Sequence, residues 1–254
     1  MLGWSIPLFR LFGIPLRLHW SFLGLLAWVA WQGWLPDGQG GGGARGMLWY
    51  VVLLLAFFTC VVLHELGHCL TARRFGIGTR RILLLPIGGM ADMEEIPRQP
   101  SREILMTLAG PAVNFVIAGV LVLATWRIPE MVPLYSAQGL AYELAQWNLF
   151  MGLFNLVPVF PMDGGRIFRA LLAMRLPYVR ATFVAATVAK VLAAGAIAYA
   201  LQKQMWQLVA LFAFIFSAGE MEYRFVKRRE AEAEHWRQWW GRQDMMAVKD
   251  EPAE

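Results

Sequence analysis

Charged residues are scarce in this chain: Asp, Glu, Lys and Arg make up 16% of its 254 residues, where a soluble domain carries about a quarter. That shortage excludes an ordinary water-facing surface. Cysteine is nearly absent, with only Cys60 and Cys69. On a helix the two fall half a turn out of phase, so they cannot bridge within it, and they say little about redox compartment. No internal repeat is evident, and no small-residue cleavage site follows the first apolar run, which reads as retained rather than as a removed signal peptide.

Apolar sequence is abundant, at 58% with a mean hydropathy of +0.47. It comes in long blocks, several of them near the roughly 20 residues that cross a bilayer core. The expected architecture is an all-α polytopic membrane protein with about six transmembrane helices, near 17–35, 47–72, 102–126, 140–160, 181–201 and 205–221. Charge placement agrees with that count. With the N-terminus inside, 19 of the 23 basic residues fall on one side, while Arg45, Arg127 and Lys203 lie opposite and Lys190 falls within a span. Such asymmetry marks the cytoplasmic face, so the net charge of +5 reflects topology and gives no reason to expect nucleic acid as a partner. Trp20, Trp28, Trp31, Trp34, Trp49 and Trp126 lie at or near span ends, where amphipathic rings prefer to sit. The implied location is multi-pass in a cell inner or plasma membrane, both termini cytoplasmic.

Three regions follow: an N-terminal cytoplasmic segment (1–16), a membrane core (17–221) and a polar cytoplasmic tail (222–254). Within the core, "DGQGGGGARG" (37–46) reads as a flexible connector. The stretch about 76–96 is too broken by Gly and Pro to span, yet "ILLLPIGGM" is too apolar for a free loop. It reads as a short membrane-associated β-hairpin or re-entrant segment, tolerable where protein or a water-filled cavity covers its backbone. The tail, with Trp236, Trp239 and Trp240, fits a surface-lying helix or a solvated, partly disordered end equally well.

Inside the apolar run 51–74 stand His64, Glu65 and His68. Ionisable residues in a span are costly and mark function by default. Spaced four apart on a helix, His64 and His68 share a face and can grip one zinc ion, with Glu65 placed to act as general base on water. A catalytic site of this kind wants a third protein ligand. His19 sits beside Arg17 at a span entrance, His235 lies in the tail, Cys69 points about 100° away, and Glu143 falls at the far end of its span. Asp163, in "FNLVPVFPMDGGR" (154–166), remains. Its depth suits: His68 is about 7 Å from the boundary marked by Arg73, and Asp163 is close to Arg166. Pro158 and Pro161 break the helix there, and Gly164 and Gly165 permit close backbone approach.

HELGH in one span and "NLVPVFPMDGG" two spans later resemble the site-2 protease family of intramembrane zinc metalloproteases, in a compact form without a PDZ-sized insertion or a nucleotide-sensing module. The similarity covers roughly residues 15–221, "PIGGM" and "AGPAVN" included. The resemblance implies one zinc ion per chain on His64, His68 and Asp163, and water activated by Glu65. It implies that Asn155 helps to hold substrate and that "RRILLLPIGG", with Gly88 and Gly89, lines the substrate path. It also implies hydrolysis of peptide bonds within or next to transmembrane segments of other membrane proteins. An alternative use of Asn155 is to bond carbonyls freed at the proline break. Gly110 and Asn114 are expected to serve close helix packing, and Lys190 has no partner legible in the sequence. Substrate and bilayer are the implied partners; a homo-oligomer or a regulatory membrane partner is left open. The rival reading is a non-proteolytic zinc-binding membrane protein or transporter, which should show polar sites through both membrane halves and would give Glu65 no task.

Overall fold

The computed structural model describes residues 4–36, 42–125 and 135–249, with side chains to 240. Trp126, Arg127 and the glycines at the start of the expected connector lie outside the described residues. The chain divides into two compact units, Met1–Leu156 and Val157–Glu254.

The first unit opens with a hairpin that begins within the N-terminal segment expected at 1–16. Strands β1 (Ser5–Leu11) and β2 (Ile14–His19) pair antiparallel across a turn at Phe12 and Gly13, the latter at φ +86°. Helices α1 (Ser21–Trp34) and α2 (Gly43–Arg74) follow, and then β3 (Thr79–Leu85) and β4 (Gly88–Met93). The four strands form one sheet in the order β1-β2-β3-β4. β2 and β3 are parallel, Leu16 opposite Ile82, and a parallel pair needs a long crossover; α1 and α2 supply it. The hairpin expected within 76–96 is therefore present, as half of a larger sheet. Ile82, Leu83 and Leu84 are all buried, as expected of a strand covered on both faces. Ile14, Leu16, Ile82 and Leu84 pack with Phe58, Val61, Val62 and Leu66 of α2, which fastens the sheet to that helix. Helices α3 (Pro100–Thr125) and α4 (Ala137–Asn155) complete the unit; the Ser136 hydroxyl caps α4 by accepting from the Gly139 N–H at 3.0 Å.

The second unit holds α5 (Asp163–Ala173), α6 (Tyr178–Gln202) and α7 (Trp206–Lys249). α6 buries Ala181, Ala185, Ala186, Ala189, Ala193 and Ala200, a stripe of small side chains that lets helices approach closely. Arg169 of α5 is fully buried, paired with Glu222 of α7 and stacked over the rings of Phe160 and Tyr178. α7 runs without a break from the apolar segment into the polar tail, so the tail begins as helix. Among the described residues three helices are long and apolar enough to cross a membrane: α2, α3 and α6. The protein is thus mostly helical with a small sheet, and the six-span count goes beyond what these helices meet by length and composition.

Candidate metal centre

His64 and His68 stand one turn apart on α2, both buried. Their Nε2 atoms face each other at 3.1 Å. The Nδ1 side of each ring is held by a neighbour: His68 Nδ1 lies 2.9 Å from the Met106 carbonyl oxygen of α3, and His64 Nδ1 meets Asn114 Oδ1 of the same helix. A carbonyl oxygen can only accept, so each Nδ1 carries the proton and donates it, and a neutral ring then has a bare Nε2. Two lone pairs facing each other at that distance repel unless a cation lies between them. This is the arrangement of metal-ligating histidines, whose second nitrogen is commonly fixed by a carbonyl or carboxylate.

The two rings can lie where they do because residue 110 is glycine. A Cβ there would overlap His68 Nε2 and come within 2.8 Å of His64 Nε2. Gly110 thus does more than bring α3 close to α2; it leaves room for the two imidazole rings.

Glu65, next along α2, reaches toward the sheet. Its Oε2 accepts from the Ala91 N–H of β4 at 3.2 Å. A Cβ at Gly89 would lie 2.6 Å from Glu65 Cγ and 3.0 Å from Val61 Cγ1. Gly89 therefore makes room for the Glu65 side chain, while Gly88 opens β4 at φ +137°, a backbone conformation few other residues adopt. Both edges of β3 are occupied, by β2 and β4. Among the described residues β4 pairs with a strand on one side alone, and on its other side the Ala91 N–H is taken by Glu65.

Asn155 is the last residue of α4, and its Nδ2 donates to the Met151 carbonyl one turn back at 3.0 Å. That carbonyl lies within α4 and is not one that Pro158 or Pro161 frees. His19 is bonded to the Ser21 hydroxyl at 2.6 Å, and Cys69 packs in the apolar core. In the second unit Asp163 is buried as the first residue of α5, where the positive end of the helix dipole favours a carboxylate. The residues that sequence reasoning did not assign to the site are Gly110, Asn114 and Ala91. Asn114 carried a signal, an amide within an apolar span; Ala91 acts through its backbone and carried none.

The sequence profile of Peptidase family M50 matches residues 52–138 and 130–199. The chain is 36% identical over 226 residues to Zinc metalloprotease MJ0392 of Methanocaldococcus jannaschii, covering 89% of this chain and 62% of that protein. It is 32% identical over 238 residues to Putative zinc metalloprotease Rip3 of Mycobacterium tuberculosis, covering 86% and 58%. It therefore spans somewhat more than half the length of these relatives. The solved Site-2 Protease from Methanocaldococcus jannaschii superposes with a TM-score of 0.63 at 36% identity, over 86% of this chain and 95% of that one.

Proposed function

Because the chain belongs to peptidase family M50, we propose that it is an integral-membrane zinc metalloendopeptidase that hydrolyses peptide bonds within or beside transmembrane segments of other proteins. The observation that carries this reading is the pair of Nε2 atoms facing each other at 3.1 Å while a carbonyl oxygen holds each Nδ1. His64, His68 and Asp163 would hold the ion: two imidazole nitrogens and a carboxylate oxygen are a donor set that catalytic zinc takes. The chemistry zinc supplies when bound is Lewis acidity toward water and toward the scissile carbonyl.

The chain's own residues do the rest. Glu65 takes a proton from the attacking water and returns it to the leaving amine. A helical substrate hides its carbonyls in its own hydrogen bonds, so it must unwind locally, and β4, bonded to a strand on one side alone, would replace some of those bonds on its other side. Gly88 and Gly89 begin that strand. Asn155 would turn its amide from the Met151 carbonyl to the substrate. In this reading the protein crosses the membrane six times with both termini cytoplasmic, and the histidines lie near the cytoplasmic boundary. The spans beyond α2, α3 and α6 are the shorter α1 and α4 and the apolar first part of α7.

The test is cleavage of a reconstituted single-span protein. Glu65→Gln should keep one zinc per chain and lose cleavage by about 10²–10⁴-fold, the range for a missing general base. Full activity in that variant would overturn the assignment. Zinc flux across vesicles without cleavage by the unmodified protein would favour the transporter.

A further inference from the structure

His64 does not meet its Asn partner in isolation. Asn114 Nδ2 donates to Asn148 Oδ1 at 2.8 Å, and Asn148 Nδ2 donates to the Leu144 carbonyl at 2.7 Å. Both amides are fully buried. The chain of contacts crosses three helices, from α2 through α3 to α4.

Its direction is fixed from the far end. The Leu144 carbonyl can only accept, so Asn148 must present its NH₂ group there and its oxygen toward Asn114. Asn114 must then donate to that oxygen, which leaves its own oxygen facing His64. An oxygen at that place requires a proton on His64 Nδ1 and a lone pair on Nε2. Turning either amide over would set oxygen against oxygen or N–H against N–H in a buried site, where unmade hydrogen bonds are costly. His68 needs no such device, because the Met106 carbonyl acts on its ring directly.

The geometry points to Asn148 as a remote positioning residue for the metal: through Asn114 it holds His64 in the tautomer whose Nε2 can bind an ion, without touching the ring. This rests on the proposed zinc site and concerns how that site is kept competent. If Asn148 lost its polar side chain, Asn114 could rotate and offer its NH₂ group to His64. The ring would then accept at Nδ1 and carry its proton on Nε2, where the ion should bind.

The test measures the zinc dissociation constant of detergent-purified protein by competition with a chromogenic chelator. Asn148→Leu, close in volume to the original, should weaken zinc binding by about 10-fold or more, as loss of a partner behind a ligating histidine does. Adding Asn114→Asp to that variant should restore affinity, because an ionised carboxylate has two acceptor oxygens and nothing to donate whichever way it turns. A packing role predicts the reverse, since the double variant adds a buried charge to a damaged core. Should Asn148→Leu not fold, Asn148→Ala removes the same acceptor and donor with less bulk and carries the same expectations. Unchanged affinity in the single variant, or no recovery in the double, overturns the inference. Failure of the unmodified protein to bind zinc would instead remove the reading beneath it.

Discussion

The backbone of Gly89 lies against the side chain of Glu65: a single methyl group added to that glycine would come within 2.6 Å of Glu65 Cγ. Two residues on, the Ala91 N–H donates to the same carboxylate. Strand β4 thus both admits Glu65 and orients it, and the packing of the sheet on α2 makes that possible.

Gly89→Ala should therefore impair cleavage more than it impairs metal binding. The added carbon meets the α2 side chains of Glu65 and Val61 at 2.6 and 3.0 Å, so Glu65 has to move. Displacement of a reacting group by about 1 Å can cost on the order of 10²-fold in rate. The expected result is normal zinc content with a large fall in kcat and little change in KM. Zinc loss equal to the activity loss would show that Gly89 supports the site as a whole rather than Glu65.

Gly110→Ala should do the opposite and act on the metal. The new methyl would overlap His68 Nε2 and crowd His64 Nε2, pushing both rings, and it sits on α3, which also carries Met106 and Asn114. Helix propensity favours Ala over Gly by about 1 kcal/mol, so the backbone gives no reason for instability. Metal analysis of the purified variant should find well under one zinc per chain at a preserved helical circular-dichroism signal. Full zinc occupancy would place the ion elsewhere.

Much of this site is legible in the chain because helical periodicity is local. The spacing of His64 and His68 fixes a shared face whatever the rest of the fold does, and Glu65 comes with them. Asp163 is reached only by elimination and depth. Asn114 is not legible as a histidine partner, since it lies 50 residues from His64 and nothing local pairs them. Gly110 shows the ambiguity of glycine: an absent side chain reads the same whether a helix backbone or a pair of imidazole rings fills the space. The hairpin at 76–96 is legible from its Gly and Pro punctuation. The β1–β2 hairpin is not, because β2 runs into α1 with only Trp20 between them, and a continuous apolar run does not distinguish strand from helix.

Lys190 shows how a partner far along the chain settles an isolated charge. Its Nζ donates to Glu220 Oε2 at 2.8 Å, and the other oxygen of Glu220 accepts from Arg224 Nε at 2.8 Å. One carboxylate thus serves two cations, which makes the pair unequal. Without Lys190, Glu220 keeps Arg224. Without Glu220, Lys190 stands unpaired partway along α6, one of the helices apolar enough to span, and a lone charge there is expensive. Arg224 is the less affected, since its side chain is 66% exposed and sits next to the polar part of α7. Glu220→Leu should accordingly lower the thermal unfolding midpoint in detergent more than Lys190→Leu does. The double variant should be more stable than Glu220→Leu alone, because it removes the stranded ammonium together with its partner. Equal losses for the two single variants, simply adding in the double, would show that the contact contributes no coupling and that Lys190 reaches water by another route.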